Sequence, residues 1–476
     1  MPSTQSLWMD EAQTWRIAIK PSVAALVADL RETQASEGLM PLGMLSAWAA
    51  LRVFGESEWQ LRAVNIVWAA VATGAFFVLG RRWRIPWAPL FLAIQPFLWF
   101  YANEARPYTL QIAAGAWLLV SLVIAVEDRR LDWPNLLILI VSSATLIATT
   151  LFGVLTAGPV FLVLGWLGWR ERWSLPRRWS LGAAVLLLWI LTFGAYYLQT
   201  VARGAAGARL WDVGFSNIAF AFYEFAGFSG LSPSRNEIRE LAQTGGARAI
   251  LNALTPACLA AVGTLAFTYL LLLRAFRPAV GGPDRRTLGA IGIVAFASCA
   301  SLVLLALAAR FPFWGRHLAP VFPFFCAVTI LAIRSLGVAR GGWGRWVGPV
   351  LAVLLAISAG LLRTQPRHAK DDYRAAVAIA QRTVEENGVV WWCADPDTAR
   401  YYALPVSREH RSQGPIVFVS GYSPEELVAL TPPNLIVLSK PDIFDPKQSL
   451  LDYVNQRGYQ LQESVNAFRI FSPARR

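Results

Sequence analysis

Apolar runs long enough to cross a bilayer recur along most of the chain, and nothing else in the sequence limits the fold so strongly. A membrane-spanning helix needs about 20 mainly apolar residues. Runs of that kind fall at 60–80, 86–102, 108–126, 134–151, 153–169, 180–199, 254–274, 287–309, 318–335 and 346–363. Hydrocarbon offers no partner to a backbone N–H or C=O, so such segments must satisfy their own hydrogen bonds as helices. About ten transmembrane helices are therefore expected. Tryptophans cluster at the ends of the runs, among them Trp83, Trp87, Trp133, Trp169 and Trp173, as interfacial belts do.

Arginine placement orients the helices. Five clusters separate the runs: Arg81, Arg82 and Arg84; Arg129 and Arg130; Arg170, Arg172, Arg177 and Arg178; Arg274, Arg277, Arg285 and Arg286; and Arg334, Arg340 and Arg345. Cytoplasmic loops carry an excess of basic residues. With all five taken as cytoplasmic, the helices alternate without conflict. The loops at 101–107, near 152, at 200–253 and at 310–317 then face outward, as do both chain ends. The net charge of +13 is explained by these clusters, so nucleic acid is not expected as a partner. Only 15% of residues are charged, against about 25% in ordinary soluble domains. Cys258, Cys299, Cys326 and Cys393 show neither disulfide nor metal-ligand spacing and read as small core residues.

Three stretches lie outside the runs. In 1–59, Val23, Leu26, Val27 and Leu30 repeat at helical spacing after Pro21, and Pro41 to Phe54 forms a second apolar helix. In 200–253, Phe215, Ile218, Ala219, Phe222 and Phe225 repeat the same spacing. These helices are expected to lie at the interface or to pack on the bundle. In 364–476 the composition becomes that of a soluble domain. A helical stretch at 371–387 precedes short apolar runs at 389–393, 416–420 and 435–439, with helices near 423–430 and 447–457 between them. This alternation predicts a small α/β layer fold. It has no G-x-G-x-x-G, so nucleotide binding is not expected.

Charged motifs sit in the segments assigned to the outside. The first is Leu7-Trp8-Met9-Asp10-Glu11-Ala12-Gln13-Thr14. The second is Tyr101-Ala102-Asn103-Glu104-Ala105-Arg106-Pro107-Tyr108. A third is Phe313-Trp314-Gly315-Arg316-His317-Leu318. Carboxylates and guanidiniums at a membrane boundary are costly unless solvated or paired, which makes each a functional candidate. A carboxylate can deprotonate an acceptor hydroxyl, and arginine's planar fork suits phosphate oxygens. Transfer of a sugar from a lipid-linked phosphate needs these two groups. Structural readings stand beside this one: a solvated acidic pair at Asp10-Glu11, a loop-fixing ion pair from Glu104 and Arg106, and a membrane-edge anchor in Arg316.

In order and topology these motifs resemble the GT-C glycosyltransferases. The resemblance is closest to bacterial relatives of the dolichyl-phosphate-mannose protein mannosyltransferases and the lipid A aminoarabinose transferases. Trp8-Met9-Asp10-Glu11 is similar to that family's Asp-Glu motif in the first outer loop. Phe54-Gly55-Glu56-Ser57-Glu58-Trp59-Gln60-Leu61-Arg62 resembles its Phe-Gly-x-Ser-x-x-x-x-Arg stretch. Glu104-Ala105-Arg106-Pro107-Tyr108 resembles its Glu-x-Arg-x-Tyr loop. Arg316-His317-Leu318-Ala319-Pro320 resembles a late Arg-Tyr loop before a proline-rich helix start. Asp371-Asp372-Tyr373-Arg374-Ala375-Ala376 opens a domain similar to the family's outward α/β domain.

The resemblance implies a GT-C-like bundle with a C-terminal α/β domain in the plasma membrane. Residues 1–59 would form the first outer loop, 60–363 the bundle and 364–476 the extracytoplasmic domain. It implies an inverting glycosyltransferase with a polyprenyl-phosphate sugar donor and a protein, lipid or glycan acceptor; mannose and aminoarabinose are family precedents. Asp10 would be the base or orient the acceptor, Glu11 would support it, and Glu104 would complete the acidic site, with a divalent metal ion as a possible partner. Arg62, Arg106, Tyr108, Arg316 and His317 would bind substrate or shape the loops that do. Family members carry a transmembrane helix before the Asp-Glu loop, and Asp10 stands too near Met1 for one to fit. The helix is therefore expected to be lost or to lie upstream of this start. Leu39-Met40-Pro41-Leu42 departs from the family's His-Pro-Pro, and His317 stands where a tyrosine is usual. A non-catalytic relative or a transporter of lipid-linked glycans is the alternative. Against transport, no charged residue lies deep in a run and no paired broken helices are evident.

Overall fold

The computed structural model describes residues 5–33, 35–173, 179–204, 214–235, 252–275, 284–311, 313–339, 344–407 and 414–474, with a few single positions between 237 and 249. Arg177, Arg178, Arg277 and Arg340 of the basic clusters lie outside the described residues. The chain divides into two compact units, one formed by Ile17–His368, the other by Ser3–Arg16 together with Ala369–Arg476. The opening helix α1 (Met9–Ala18) carries Asp10 and Glu11 in its first turn, where carboxylates favour the helix dipole.

The first unit is all-helical. Helix α2 (Val23–Glu32) starts at Ser22, whose hydroxyl accepts the Ala25 N–H at 3.2 Å. It buries Leu26 and Leu30 and exposes Val23 and Val27, so the stripe read from the sequence is half used. After α3 (Pro41–Phe54) the chain turns at Gly55, whose φ of 100° suits glycine. Helix α4 (Glu58–Trp83) then opens on a capping box between Ser57 and Gln60.

The run at 86–102, expected as one spanning helix, is instead two short ones, α5 (Ala88–Ala93) and α6 (Pro96–Ala102). Pro96 has no N–H to give to the preceding turn, and it pushes Gln95 into extended geometry (φ −68°, ψ 125°). The helix restarts with the Trp99 N–H on the Gln95 carbonyl.

Further along lie α7 (Tyr108–Asp128), α8 (Trp133–Thr149), α9 (Val154–Glu171), α10 (Trp179–Ala202), α11 (Phe215–Phe225), α12 (Pro256–Ala275), α13 (Asp284–Ala309), α14 (Phe322–Ala339) and α15 (Gly344–Thr364). Among the described residues six helices are long and apolar enough to cross a membrane: those at 58–83, 108–128, 151–171, 182–202, 285–309 and 345–364. The apolar helix Trp133–Thr149, at 17 residues, falls just under that length. Helices α4, α7 and α9 each end on an arginine in left-handed conformation, Arg84 (φ 57°), Arg129 (φ 51°) and Arg172 (φ 53°). Cations complement a helix C-terminus, so the basic clusters also stop helices.

Helix α7 is the centre of the bundle, with 89% of its apolar window buried. Gly115 lets it approach the end of the Gly315–Leu318 turn, since a Cβ there would lie 2.3 Å from the Pro320 carbonyl oxygen. Helix α11 packs rather than floats: Ala221 and Phe225 are buried, and the Phe225 ring meets Phe97 of α6 at 5.5 Å and Phe322 of α14 at 5.6 Å.

The second unit is built on a five-stranded sheet. Its elements are α16 (Tyr373–Glu385), β1 (Val390–Cys393), α17 (Pro396–Tyr401), β2 (Ile416–Phe418), α18 (Pro424–Ala429), β3 (Leu435–Ser439), α19 (Pro441–Phe444), α20 (Ser449–Gln456), β4 (Tyr459–Val465) and β5 (Phe468–Pro473). The strand order is β2-β1-β3-β5-β4, with β1 parallel to β2 and β3 and the β4–β5 hairpin antiparallel. The hairpin and α17 were not anticipated. Covered on both faces, β1 and β3 read as unbroken apolar runs. Trp392 packs with Tyr373 and Phe468 on one face, and Trp391 with Tyr453 and Leu450 on the other.

Replacing Gly115 by Ala pushes a methyl into the Pro320 carbonyl. It is expected to cost about 1–3 kcal/mol, read as a lowered unfolding midpoint in detergent, whereas Gly74→Ala, with nothing within 4 Å, leaves the midpoint in place.

Candidate functional site

In the first unit the predicted residues converge on one loop, 103–107, between α6 and α7. It is clamped from four directions. Arg363, at the end of α15, donates to Asn103 Oδ1. Asn65 of α4 donates to the Glu104 carbonyl and accepts the Thr109 hydroxyl at 2.6 Å. Arg106 pairs with Glu37 and donates to Ser36 Oγ at 3.4 Å. Pro107 packs on Gly43 of α3, where a Cβ would come within 2.5 Å of the proline Cβ. Glu104 and Arg106 are 3% and 4% exposed, so the loop's charges are held rather than solvated. The Tyr108 ring, also buried, meets Tyr101 edge-on at 4.8 Å.

Arg62 lies one turn before Asn65 on α4 and is fully buried. It is near enough for its charge to act on Arg363.

A second charged pair joins the same loop. Glu224 of α11 accepts both Nε (2.9 Å) and Nη2 (2.6 Å) of Arg235 through one oxygen. Its other oxygen has no hydrogen-bond partner among the described residues and faces Gly315, where a Cβ would stand 2.7 Å away. The Arg235 guanidinium lies over Phe100 at 4.9 Å and Trp314 at 5.9 Å. Burial opposes its charge, but Glu224, Tyr101 and Glu104 outweigh it and raise the Arg235 pKa. Thus Arg235 bridges Phe100, near the end of α6, and Trp314 of the later turn.

Within that turn Arg316 and His317 differ. His317 accepts the Trp314 N–H through Nδ1 at 3.1 Å and sits among the rings of Phe152, Phe311 and Phe313. Burial and the Arg316 charge hold its pKa well below the usual 6.5. The ring is thus held within the turn by its backbone and its aromatic neighbours. Arg316 is half-buried in the same turn.

Asp10 and Glu11 belong to the second unit. Glu11 is fully buried; its Oε2 accepts Lys370 Nζ at 2.9 Å and the Trp8 N–H at 3.4 Å. Asp371 pairs with Lys440 at 2.5 Å, and the Lys440 ammonium lies 5.0 Å from the Trp8 ring centre. Asp397 receives Gln13 and Arg400, the latter at 3.0 Å, and the Leu7 N–H bonds the Tyr402 hydroxyl at 2.7 Å. The motif is thus built into the α/β unit, with Glu11 as its anchor and Asp10 half-buried in the same helical turn.

Glu37, Asn65, Glu224, Arg235, Arg363, Lys370 and Lys440 were not singled out from the sequence. Glu224 had a signal, as the one charge in the apolar segment Phe215–Phe225. Arg235 pairs with it from the loop that follows; the others pair across long sequence separations and had none. Among the described residues, no three His, Cys, Asp or Glu side chains converge as a metal site requires. A metal at Glu104 therefore finds no support in these residues.

No protein-family model matches the chain. No curated protein matches it either. Among solved structures it is similar to ArnT from Cupriavidus metallidurans in the apo state, with a TM-score of 0.53 at 15% identity over 99% of this chain and 94% of that one. It is similar also to ArnT from the same organism bound to undecaprenyl phosphate, with a TM-score of 0.50 at 15% identity over 98% and 94%. The chain has a GT-C fold. A likeness at that identity speaks of the fold; within GT-C, the residues above must carry any statement about chemistry.

Glu37→Gln leaves Arg106 without its buried counter-charge and is expected to destabilise the protein by about 3–5 kcal/mol. Adding Arg106→Gln should recover part of the loss, which a double-mutant cycle on unfolding midpoints measures. For His317, the unfolded ring takes up a proton first as pH falls below about 6.5. Its contribution is complete above that pH and is lost below it. His368, pushed down to about 4 by burial and Arg367, acts in the same direction. Stability should therefore decline from pH 6.5 downward, and His317→Asn should flatten part of that slope.

Proposed function

We propose that this chain is an inverting glycosyltransferase that moves a sugar from a polyprenyl-phosphate donor onto a protein, lipid or glycan acceptor at the outer face of the plasma membrane. The observation that carries the reading is Arg62, fully buried one turn from Asn65, with Arg363 on Asn103 of the same clamped loop. Two cations held at the end of a greasy bundle suit a ligand with an anionic head and a hydrocarbon tail. The GT-C fold supports this reading, and so does undecaprenyl phosphate in the ArnT structure.

In this reading residues 1–59 are the first outward segment, 60–363 the bundle and 364–476 an outward α/β domain. Asp10 accepts the proton of the acceptor hydroxyl. The acceptor oxygen attacks the anomeric carbon from the face opposite the phosphate. The bond from that carbon to the phosphate oxygen breaks, and its electron pair leaves with the polyprenyl phosphate. Inversion follows from the single displacement. Arg62 and Arg316 hold the phosphate as its charge grows, where fixed donors act without reorganising. Glu104 completes the acidic site. Glu11 supports Asp10 by fixing its helical turn through Lys370. Arg106, Tyr108 and His317 shape the loops. No step is routed through a metal.

Membranes holding the chain, given a panel of labelled polyprenyl-phosphate sugars, should transfer one of them. Asp10→Asn should lower turnover by about 10²–10⁴ while labelled polyprenyl phosphate still binds. If Asp10→Asn transfers at the wild-type rate, the base is misassigned. If the folded wild type binds every donor and transfers none, a binding or transport role takes the place of catalysis.

A further inference from the structure

A cavity of about 530 Å³ opens in the first unit at the opposite end of α4 from Arg62, between the 84–87 turn, α5, the end of α14 and the start of α15. Its polar lining is Arg84, Arg334 and Arg345, and no carboxylate lines it. Its remaining walls are apolar, with Trp87, Leu90, Phe91 and Ile94 on one side and Gly348, Pro349 and Ala352 on the other. That volume falls within the range of small-molecule sites.

The cavity follows from local structure. Gly80 accepts the Ile85 N–H at 2.7 Å, and a Cβ on it would strike the Ile85 carbonyl at 2.7 Å. This closes the turn that presents Arg84 and Trp87. Helix α5 is only six residues long because Pro96 ends its run, so it does not fill the space beside α14 and α15. Arg334 is aimed by an N–H···O bond of 2.8 Å from Nη1 to the Trp83 carbonyl.

The contrast with neighbouring arginines makes the site specific. Arg82 pairs with Glu127 and Asp128, Arg286 with Glu171 at 2.5 Å, and Arg130 with Asp132 at 3.8 Å. The cavity brings three arginines from two basic clusters together, and no carboxylate is among its described lining residues. Leu90 is 63% exposed and Trp346, beside Arg345, 55%, so the rim continues into the apolar surface of the bundle. A basic rim, an apolar wall and an interfacial tryptophan match a phosphate head with attached acyl chains.

We propose that this cavity binds one anionic phospholipid of the leaflet at the arginine-rich face, its phosphate between Arg84, Arg334 and Arg345 and its glycerol and upper acyl carbons against Trp87, Leu90 and Phe91. The site is separate from the transferase reading and does not depend on it. A free phosphate would leave the apolar wall unused, so the occupant is the lipid.

The test uses the full chain in detergent, titrated with palmitoyl-oleoyl phosphatidylglycerol or phosphatidylcholine and read by native mass spectrometry. One phosphatidylglycerol should bind saturably and in preference to phosphatidylcholine. Arg84→Asn with Arg345→Gln should weaken it by about fivefold per arginine, whereas Arg129→Asn with Arg130→Gln should not. Asparagine is chosen at 84 because it tolerates the left-handed φ. Equal binding of the two lipids, equal loss in the 129/130 control, or displacement by millimolar glycerol phosphate would overturn the proposal. A second readout leaves the arginines intact. Phosphatidylglycerol brominated on its upper acyl chain should quench wild-type fluorescence more than that of Trp87→Phe, and the same quenching in both would also overturn it.

Discussion

Taking an ionised side chain out of water costs several kcal/mol unless a partner is supplied in good geometry, and the polar end of the helical unit is organised around that cost. Arg106 has Glu37, Arg235 has Glu224, and Asn103 and Glu104 are tied through Arg363 and Asn65. The bonds to Glu37, Arg363 and Asn65 also join elements far apart in sequence, so making them fixes the 103–107 loop. The two close approaches that allow this need small residues: Gly43 under Pro107 and Gly115 under Pro320. A loop so held can present carboxylate and guanidinium groups without rearranging, which is what electrostatic catalysis requires.

The same accounting applies in the α/β unit. The segment before α1 contributes Trp8 and Leu7, and the turn of α1 contributes Glu11, to a set of contacts closed by Lys370, Lys440 and Tyr402. An Asp-Glu pair that could have been two solvated charges therefore divides its work. Glu11 is fully buried against an ammonium. Asp10 stays half-buried in the adjacent position, and it is the residue proposed to take the proton.

The helix interruption at Gln95-Pro96 has effects at both ends of the bundle. Toward the 103–107 loop it frees α6 to bring Phe100 and Tyr101 beside Arg235 and Tyr108. Toward the basic clusters it shortens α5 and leaves the arginine-lined cavity. Hydropathy shows only a continuous apolar run there, and the proline's missing N–H is what turns that run into two devices.

Much of the architecture was legible because its causes are local or compositional. Apolar length shows which segments leave water, arginine position shows where helices stop, and the alternation at 389–439 shows a small α/β layer fold. The amphipathic stretches at 23–30, 41–54 and 215–225 became helices for the same reason. The site was legible as chemistry but not as geometry. Asp10, Glu11, Glu104, Arg106 and Arg316 stand out because charge is expensive where they lie, and Arg62 through the family resemblance. Their partners Glu37 and Lys370 do not, nor do Arg363 on Asn103 and Lys440 on Asp371, because a pairing over tens or hundreds of residues leaves no trace in spacing. The sequence by itself determined a GT-C-like helical bundle with an α/β domain and the kinds of side chain available for chemistry. The tertiary structure decided which charges are neutralised and which face each other, since electrostatic energy depends on distance and burial and neither is written in the order of residues.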